Sequence, residues 1–274
     1  MTRLSASGEL GLLAELERLG LIVGVEHDAA LLGRDLVVTQ DALVEGVHFR
    51  FDWIDWRELG FRAAAVNLSD LAASGATPEA LLVTLAVPGS TETADVIALY
   101  EGIAETGVPV VGGDTTSAGS VVISLTALGR SDRVPGRAGA RPGDLLVVTG
   151  PLGAAGAAFR AGAYARPPLR ITEGRSLAQH AHALLDVSDG LAVDAGHIAH
   201  RSGVRVEIEL DDVPLAPGAT VDDLGFGEDF ELLAAVAEPH GFPVIGRVVA
   251  GEGVAIQRAG EPYPLAGWEH FTGT

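Results

Sequence analysis

Residues 65–78 read Ala-Val-Asn-Leu-Ser-Asp-Leu-Ala-Ala-Ser-Gly-Ala-Thr-Pro, which places the carboxylate of Asp70 inside a run of small apolar side chains. The apolar spacing predicts a helix that stops near Gly75 and Pro78, since glycine and proline commonly terminate helices. A carboxylate buried there without a partner would cost several kcal/mol. Asp70 therefore either faces solvent or is held by a cation, and we expect a cation to which other aspartates also converge.

The amino-acid composition excludes several classes of function. The chain has 274 residues, no cysteine and a net charge of −19, and all 18 of its basic residues are arginine. The absence of cysteine excludes thiolate catalysis and cysteine zinc sites, and the absence of lysine excludes a phosphate-loop lysine or a Schiff base. The acidity argues against a nucleic-acid partner, but anionic small molecules remain compatible if metal ions mediate.

The N-terminus does not have the pattern of a signal peptide, and no apolar run is long enough to span a membrane. These two features predict a cytoplasmic protein without a membrane partner.

Strand-like and helix-like patterns alternate along both halves of the chain, which predicts an α/β (α+β type) fold of two domains. Residues 131–142 are rich in arginine, glycine and proline and lack apolar periodicity, so we expect a boundary there. The expected domains are residues 1–135 and residues 136–274. Within the second domain, the pattern predicts a loop over 163–174 and a helix over 176–185.

Four aspartates share one context, in which an apolar strand or helix runs into a small or polar residue and then the carboxylate. They are Asp41, Asp70, Asp114 and Asp189, and Asp28 and Asp186 lie in similar settings. Carboxylates on rigid elements are how proteins gather hard divalent cations, and Mg²⁺ takes one or two of them together with phosphate oxygens. The alternative is that each caps a helix or a turn, which is common for a single aspartate but less so for all of them.

Three further features are compatible with phosphate chemistry. Gly112-Gly113-Asp114 lets a backbone approach a phosphate closely, and Arg137 is suited to pair with one. His48 follows Glu-Gly-Val in a tight segment after Asp41, so it either contacts substrate or is a buried, hydrogen-bonded histidine.

Taken together, these residues resemble the thiamine-monophosphate kinase family. The matching stretches span nearly the whole chain: VVTQDALVEGVHF (37–49), AVNLSDLAASGATP (65–78), VVGGDTT (110–116), RAGARPGDLLVVTGPLG (137–153), DVSDGL (186–191), GEDFELL (227–233) and GWEHF (267–271). The SDLAA and GGDT elements are shared with a wider ATP-binding superfamily that includes aminoimidazole ribonucleotide synthetase. EGVHF, DVSDGL and GEDFEL are more specific to the thiamine-phosphate enzymes.

The resemblance implies ATP-dependent phosphorylation of thiamine phosphate to thiamine diphosphate, with several Mg²⁺ ions and ATP as co-substrate. It also implies a homodimer that pairs through the N-terminal domains and binds ATP near that interface. By position, the implied metal residues are Asp28, Thr39, Gln40, Asp41, Asp70, Asp114, Asp186 and Asp189. The implied nucleotide residues are Tyr100, Gly113, Asp114, Arg137 and Ser188, and the implied substrate residues are His48, Glu228 and Trp268 or Phe271. Asp70, Asp114 and Asp189 are the expected catalytic residues.

Two other functions stay open at this point. One is a superfamily member that phosphorylates an amide or formyl oxygen, as aminoimidazole ribonucleotide synthetase does. The other is a non-catalytic protein that binds magnesium and nucleotide. His27 and Gln40 depart from the residues that are common in the family, so the number of metal ions also stays open.

Overall fold

The computed structural model describes residues 4–23 and 27–268. In the first half the elements are α1 (Leu4–Arg18), β1 (Ala30–Leu32), β2 (Leu36–Val44), α2 (Trp56–Ala73), β3 (Thr77–Val87), α3 (Thr93–Ala104), β4 (Val110–Ser117) and β5 (Val122–Arg130). In the second half they are β6 (Leu145–Val148), α4 (Ala154–Arg160), α5 (Ile171–Ala178), β7 (Ala183–Asp186), α6 (Leu191–Ser202), β8 (Arg205–Glu209), β9 (Leu232–Val236), β10 (Val244–Val249), β11 (Gly253–Arg258) and β12 (Glu261–Pro262).

The first sheet has five strands in the order β1-β2-β5-β3-β4. All its pairs are antiparallel except β3 with β4, which are parallel. Helix α2 packs over one face of this sheet and α3 packs against α2. The alternation of buried and exposed residues along β5 and the middle of β3 shows that only this helical face is covered. The opposite face is open, and every residue of the edge strand β4 is exposed.

Helix α2 is the element around which the two halves pack. Asp55 caps its N-terminus by accepting a hydrogen bond from the Glu58 backbone N–H at 2.8 Å. Its C-terminal Ala72 and Ala73 belong to a core shared with α5, β7 and β9. A small residue also allows α2 to pack closely against α3, because a Cβ on Gly60 would lie 1.8 Å from the Leu99 carbonyl oxygen of α3. The predicted stop is confirmed, since the helix ends at Ala73 and Gly75 has a φ of 63°.

The second sheet has seven strands in the order β12-β11-β8-β10-β6-β9-β7. The interior strands β6 and β9 and the edge strand β7 are buried almost throughout, as expected for strands that are covered on both faces. Helix α6 packs on one side, against β7, β8 and β11. The last residue of strand β7, Asp186, lies next to α2 of the first half, where Ser69 hydrogen-bonds it.

The predicted two-part α/β architecture is confirmed, but two local predictions are wrong. Residues 176–185 are not one helix: α5 starts earlier, at Ile171, and residues 183–186 form strand β7. Asp41 and Asp114 do not end strands, because β2 and β4 continue to Val44 and Ser117. The domain boundary at 135/136 stays a prediction, and it lies between β5 and β6. Among the described residues, no helix is long and apolar enough to cross a membrane.

Candidate active site

A cavity of about 630 Å³ opens between the two halves, and residues of both sheets and of α2 line it. One wall is the helical-face side of β2, and the opposite wall includes the turn after β7 and the segment that leads into β9. A third wall is formed by Ala163, Tyr164, Ala165 and Pro167. The sequence-predicted residues that line this cavity are Asp28, Thr39, Gln40, Asp41, His48, Asp70, Arg137, Asp186, Ser188, Asp189, Glu228 and Trp268.

Four carboxylates gather at one end, which we call the acidic end: Asp28, Asp41, Asp70 and Asp186. Asp70 lies on α2 and its Oδ2 accepts a 2.5 Å hydrogen bond from the Thr39 hydroxyl of β2. Asp186 ends β7 and its Oδ2 accepts a 2.6 Å hydrogen bond from Ser69. The helix, the first sheet and the second sheet thus each deliver a carboxylate to one place.

Asn67 fixes the contact between α2 and β2 at this end. Its Oδ1 accepts a 3.0 Å hydrogen bond from the Asp41 backbone N–H, and its Nδ2 donates to the Ala63 carbonyl at 2.9 Å. Both polar atoms of the amide are therefore used inside the protein. Asn67 therefore orients α2 against β2, and it is not among the residues that line the cavity.

The electrostatics of the acidic end show a negative charge that the protein alone does not balance. Burial, together with Asp41, Asp186 and Asp28, raises the pKa of Asp70 well above its usual range. Burial, and next Asp28, raises the pKa of Asp186 to about 8. Desolvation also raises the pKa of Asp28 and Asp41.

The only basic side chain paired with this cluster among the described residues is Arg137, whose Nη2 lies 2.6 Å from Asp28 Oδ1. Four carboxylates against one guanidinium leave three negative charges when all are ionised. Clusters of this kind are stable at neutral pH only when protons or cations are added. All the surplus donors are oxygen atoms, which are the ligands that Mg²⁺ prefers. The residues present therefore fit a magnesium site.

Gln40 is separated from this cluster by the pleat of β2. Its neighbours Thr39 and Asp41 face α2, so the side chain of Gln40 lies on the open face. There its Nε2 donates to Ser124 and its Oε1 accepts from Thr126, both at 3.2 Å. Only the backbone of Gln40 remains available to the acidic end.

Three predicted residues, Tyr100, Gly113 and Asp114, lie away from the cavity. In the register of the first sheet, Asp41 pairs with Leu125, Leu125 with Val83, and Val83 with Gly113. Three strand spacings put Gly113 about 14 Å from Asp41. Asp114 is the next residue and lies at a register position on the open face. Tyr100, on α3, hydrogen-bonds Thr115 beside it. One copy of the chain therefore does not bring Asp114 to Asp70.

Ser188 and Asp189 follow β7 and form the edge of the acidic end. The Ser188 carbonyl accepts a 2.8 Å hydrogen bond from the Glu228 backbone N–H, and the Asp189 carbonyl accepts one from Trp268 at 2.9 Å. Ligand atoms of Asp189, Asp194 and His197 lie within 4.8 Å of one another. Asp194, which was not predicted from the sequence, is buried and accepts a 3.1 Å hydrogen bond from the Asp189 backbone N–H.

The other end of the cavity, which we call the aromatic end, has a different chemistry. His48 accepts a 3.1 Å hydrogen bond from the Val44 backbone N–H on Nδ1, so a neutral ring carries its proton on Nε2. Glu228 pairs with the buried Arg62. Trp268 also lines this cavity. Phe271, the alternative to Trp268, lies outside the described residues.

Several residues of the aromatic end were not predicted from the sequence. They are Trp53, Arg62, Phe159, Tyr164 and Phe226. The rings of Trp53 and Phe159 meet edge to face at 5.5 Å, and those of Phe159 and Phe226 lie 4.8 Å apart. Aromatic residues make up only 5% of the chain. An aromatic residue outside the predicted strands and helices could therefore have been taken as a candidate site residue.

Comparison with known proteins agrees with this geometry. The family models "AIR synthase related protein, N-terminal domain" and "AIR synthase related protein, C-terminal domain" match residues 26–131 and 141–259. The thiamine-monophosphate kinase of Pyrococcus horikoshii is 35% identical, with 87% of each chain covered. The chain belongs to the thiamine-monophosphate kinase family. Another thiamine-monophosphate kinase, from Aquifex aeolicus, is 32% identical over 98% of this chain and 100% of that protein.

Solved structures support the same assignment to the thiamine-monophosphate kinase family. The structure of AaThiL complexed with AMPPCP and TMP has a TM-score of 0.89 and 31% identity, and covers 98% of this chain and 99% of that one. The hydrogenase maturation protein HypE in complex with ATP has a TM-score of 0.69 at 20% identity, covering 92% of this chain and 90% of its own. That second likeness shows the fold alone.

Proposed function

We propose that this chain catalyses the ATP-dependent phosphorylation of thiamine phosphate to thiamine diphosphate. The observation that carries the proposal is the division of one cavity into an acidic end and an aromatic end. The substrate has the same division, with a phosphate at one end and two heterocycles at the other. The membership in the thiamine-monophosphate kinase family supports the same reaction.

The acidic end is the proposed site of phosphoryl transfer. Asp28, Asp41, Asp70 and Asp186 would hold several Mg²⁺ ions, with Thr39 and Asp189 at the edge of the set. When bound, the ions supply positive charge that offsets the phosphates of both substrates and their repulsion by this acidic chain.

The reaction needs no general base from the protein. The nucleophile is a phosphate oxygen of thiamine phosphate, which is already anionic at neutral pH. That oxygen forms a bond to the γ-phosphorus of ATP while the bond from the γ-phosphorus to the β,γ-bridging oxygen breaks, and ADP leaves. The chain's own contribution is to orient the two phosphates in line and exclude water, which is how most phosphoryl-transfer enzymes lower the barrier. We therefore propose direct transfer without a phosphorylated residue.

The aromatic end is the proposed site for the heterocycles. Trp53, Phe159, Phe226 and Trp268 offer faces and edges for stacking, and a cationic ring is attracted to such faces. Glu228 offers a carboxylate to the polar edge of a ring. His48 lines the same cavity and is the proposed third contact.

We propose that the complete nucleotide site needs a second copy of the chain. Tyr100 on α3 and Gly113 and Asp114 on the exposed edge strand β4 lie together. This edge, with exposed Val111 on β4 and exposed Leu82 on the neighbouring β3, favours association. Pairing of two first sheets would let Asp114 of one copy approach the acidic end of the other. Arg137 and Ser188 would complete the contacts to ATP. We further propose a cytoplasmic homodimer that binds small molecules and neither nucleic acid nor membrane.

The test is turnover of the purified protein with ATP and thiamine phosphate. We expect thiamine diphosphate and ADP to form in equal amounts with Mg²⁺, and neither to form when EDTA replaces it. Detection of a phosphorylated residue during turnover would contradict direct transfer. No thiamine diphosphate, with ADP formed from a formyl- or amide-bearing substrate, would favour the synthetase-like alternative. Nucleotide binding without turnover on any substrate would favour a non-catalytic protein.

A further inference from the structure

Arg62 is a buried cation at the aromatic end. It lies on α2, is 6% exposed, and its Nη2 donates a hydrogen bond to Oε1 of Glu228. Its Cζ lies 5.6 Å from the ring centroid of Tyr164, and its buried Nε has no hydrogen-bond partner. Burial of a guanidinium is costly unless it is paired, so the single carboxylate of Glu228 carries most of the compensation.

Arg62 and the acidic end are connected by one rigid element. Arg62, Val66 and Asp70 are spaced by four residues along α2, and all three line the cavity. At a rise of 1.5 Å per residue, Arg62 and Asp70 lie about 12 Å apart along the helix axis. The same helix therefore sets the distance between a cation at the aromatic end and a metal-binding carboxylate at the acidic end.

Both members of the pair line the cavity, and Glu228 is the more exposed of the two. Its side chain is 32% exposed, against 7% for Arg62. Its backbone is held in the left-handed region at a φ of 57°, and its N–H donates to Ser188 at 2.8 Å. Burial raises the pKa of Glu228, and the positive charge of Arg62 opposes that rise. Arg62 thus acts on the cavity through Glu228.

We propose that Arg62 is a specificity-determining positioning residue, which holds Glu228 as an ionised acceptor for the amino group of the substrate's aminopyrimidine ring. The inference rests on the proposed function. With Oε1 bound to Arg62, Oε2 is left to accept a hydrogen bond from the amino N–H. A ring with a 4-oxo group presents an acceptor in its place and faces the carboxylate unfavourably. Without Arg62, Glu228 can rotate or take up a proton, and the distinction is lost.

The test compares Arg62→Met with wild type on thiamine phosphate and on oxythiamine phosphate, the 4-oxo analogue. We expect the KM for thiamine phosphate to rise at least about tenfold, as for loss of a hydrogen bond to a charged group. The preference for the amino over the oxo substrate should fall by a similar factor, while the KM for ATP changes less than about twofold. Arg62→Lys, which keeps a cation, should recover part of the preference.

Arg166→Met is the matched control, because Arg166 pairs with Glu58 and Glu105 and not with Glu228. It should leave the preference unchanged. In a Glu228→Gln background, Arg62→Met should add less than about twofold, because the two changes interrupt one interaction. Three results would overturn the proposal. They are an equal rise in the KM values for thiamine phosphate and ATP in Arg62→Met, an unchanged preference for the amino substrate in Arg62→Met, and full additivity of Arg62→Met with Glu228→Gln.

Failure of the proposed function gives a different result. In that case wild type itself makes no thiamine diphosphate, and calorimetric titration of thiamine phosphate still compares wild type with Arg62→Met. The role of Arg62 would be supported if wild type, but not Arg62→Met, binds the amino compound more tightly than the oxo compound. Equal binding of both compounds by wild type would overturn it. Glu228→Gln alone supplies the same comparison if Arg62→Met does not fold.

Discussion

The two ends of the cavity differ in how their charges are balanced. At the acidic end, Asp28, Asp41, Asp70 and Asp186 share one guanidinium, that of Arg137. At the aromatic end, Glu228 has a guanidinium of its own, that of Arg62. The protein completes its own ion pair where rings are proposed to bind, and leaves negative charge where phosphates are proposed to react. The difference supports the proposal that cations bind at the acidic end and not at the aromatic end.

The largest effect is expected from Asp70→Asn, which removes the central carboxylate of the acidic end. We expect kcat to fall by about 10³-fold, as when a group that stabilises transferring charge is lost. The melting temperature of the metal-free protein should rise, because burial and like charges destabilise Asp70 as a carboxylate. Kinetics and thermal melting measure both, with the exposed Asp132→Asn as the control. Near-normal turnover in Asp70→Asn would exclude the metal site.

The next effect tests whether the acidic end is completed by a second copy. Asp114→Asn should lower kcat by about 100-fold, since Asp114 lies across the sheet from Asp70 and is proposed to act through a second copy of the chain. Mixing inactive Asp70→Asn and Asp114→Asn proteins and allowing exchange should restore about a quarter of wild-type activity, because half of the dimers then contain one intact site. Mixtures that stay inactive after proven exchange would contradict a shared site.

At the aromatic end the expected effect is on binding. Trp268→Ala should raise the KM for thiamine phosphate by about tenfold through lost stacking, with kcat nearly unchanged. Steady-state kinetics with each substrate varied in turn measure this, and the KM for ATP is the internal control. A fall in kcat with unchanged KM would instead assign Trp268 to the chemistry.

A smaller effect concerns stability and pH in the metal-free protein. The pKa of Asp186 is about 8 in the folded chain, against about 4 in an unfolded one. The folded state therefore keeps a proton that the unfolded state loses, and this stabilisation is complete below about pH 4 and is lost as pH rises through 8. With EDTA, the melting temperature should fall by several degrees from pH 5 to pH 8. Mg²⁺ should restore more stability at pH 8 than at pH 5, and equal restoration would contradict binding at these carboxylates.

The smallest effect is expected from Gln40→Ala. The amide of Gln40 hydrogen-bonds Ser124 and Thr126 on the open face, so its loss should change kcat by less than about threefold. A loss as large as that of Asp70→Asn would mean that the amide turns to the acidic end when substrates bind. The same kinetic assay decides between these results.

The sequence predicted much of the fold and of the acidic end for identifiable reasons. Helix α2 has a regular apolar period with stop signals at Gly75 and Pro78, and the carboxylate of Asp70 inside this apolar run pointed to a cation. The aspartates could be grouped because each follows an apolar segment. Helix 176–185 was predicted wrongly, since the apolar run 183–185 suits a buried strand as well as a helix, and only pairing with β9 decides it.

Other features depend on tertiary pairing and could not be read from one sequence. Gln40 and Asp41 are adjacent, but the direction of the pleat depends on which face α2 covers. Asp114 shares its sequence context with Asp70, but it lies on the edge strand β4 and on the open face of the sheet, which only the strand order and register show. Arg62 precedes Glu228 by 166 residues. No local pattern connects residues that far apart, so its ion pair emerges only from the fold.

The central claim is that the unbalanced carboxylates of the acidic end bind divalent cations. The direct measurement is the number of Mn²⁺ ions, used as a probe for Mg²⁺, that bind in the presence of a non-hydrolysable ATP analogue. Electron paramagnetic resonance should find more than one ion per chain in wild type, and fewer in Asp70→Asn and Asp186→Asn. Glu228→Gln, at the other end of the cavity, should bind as many as wild type. The same number of ions in all four proteins would contradict the account.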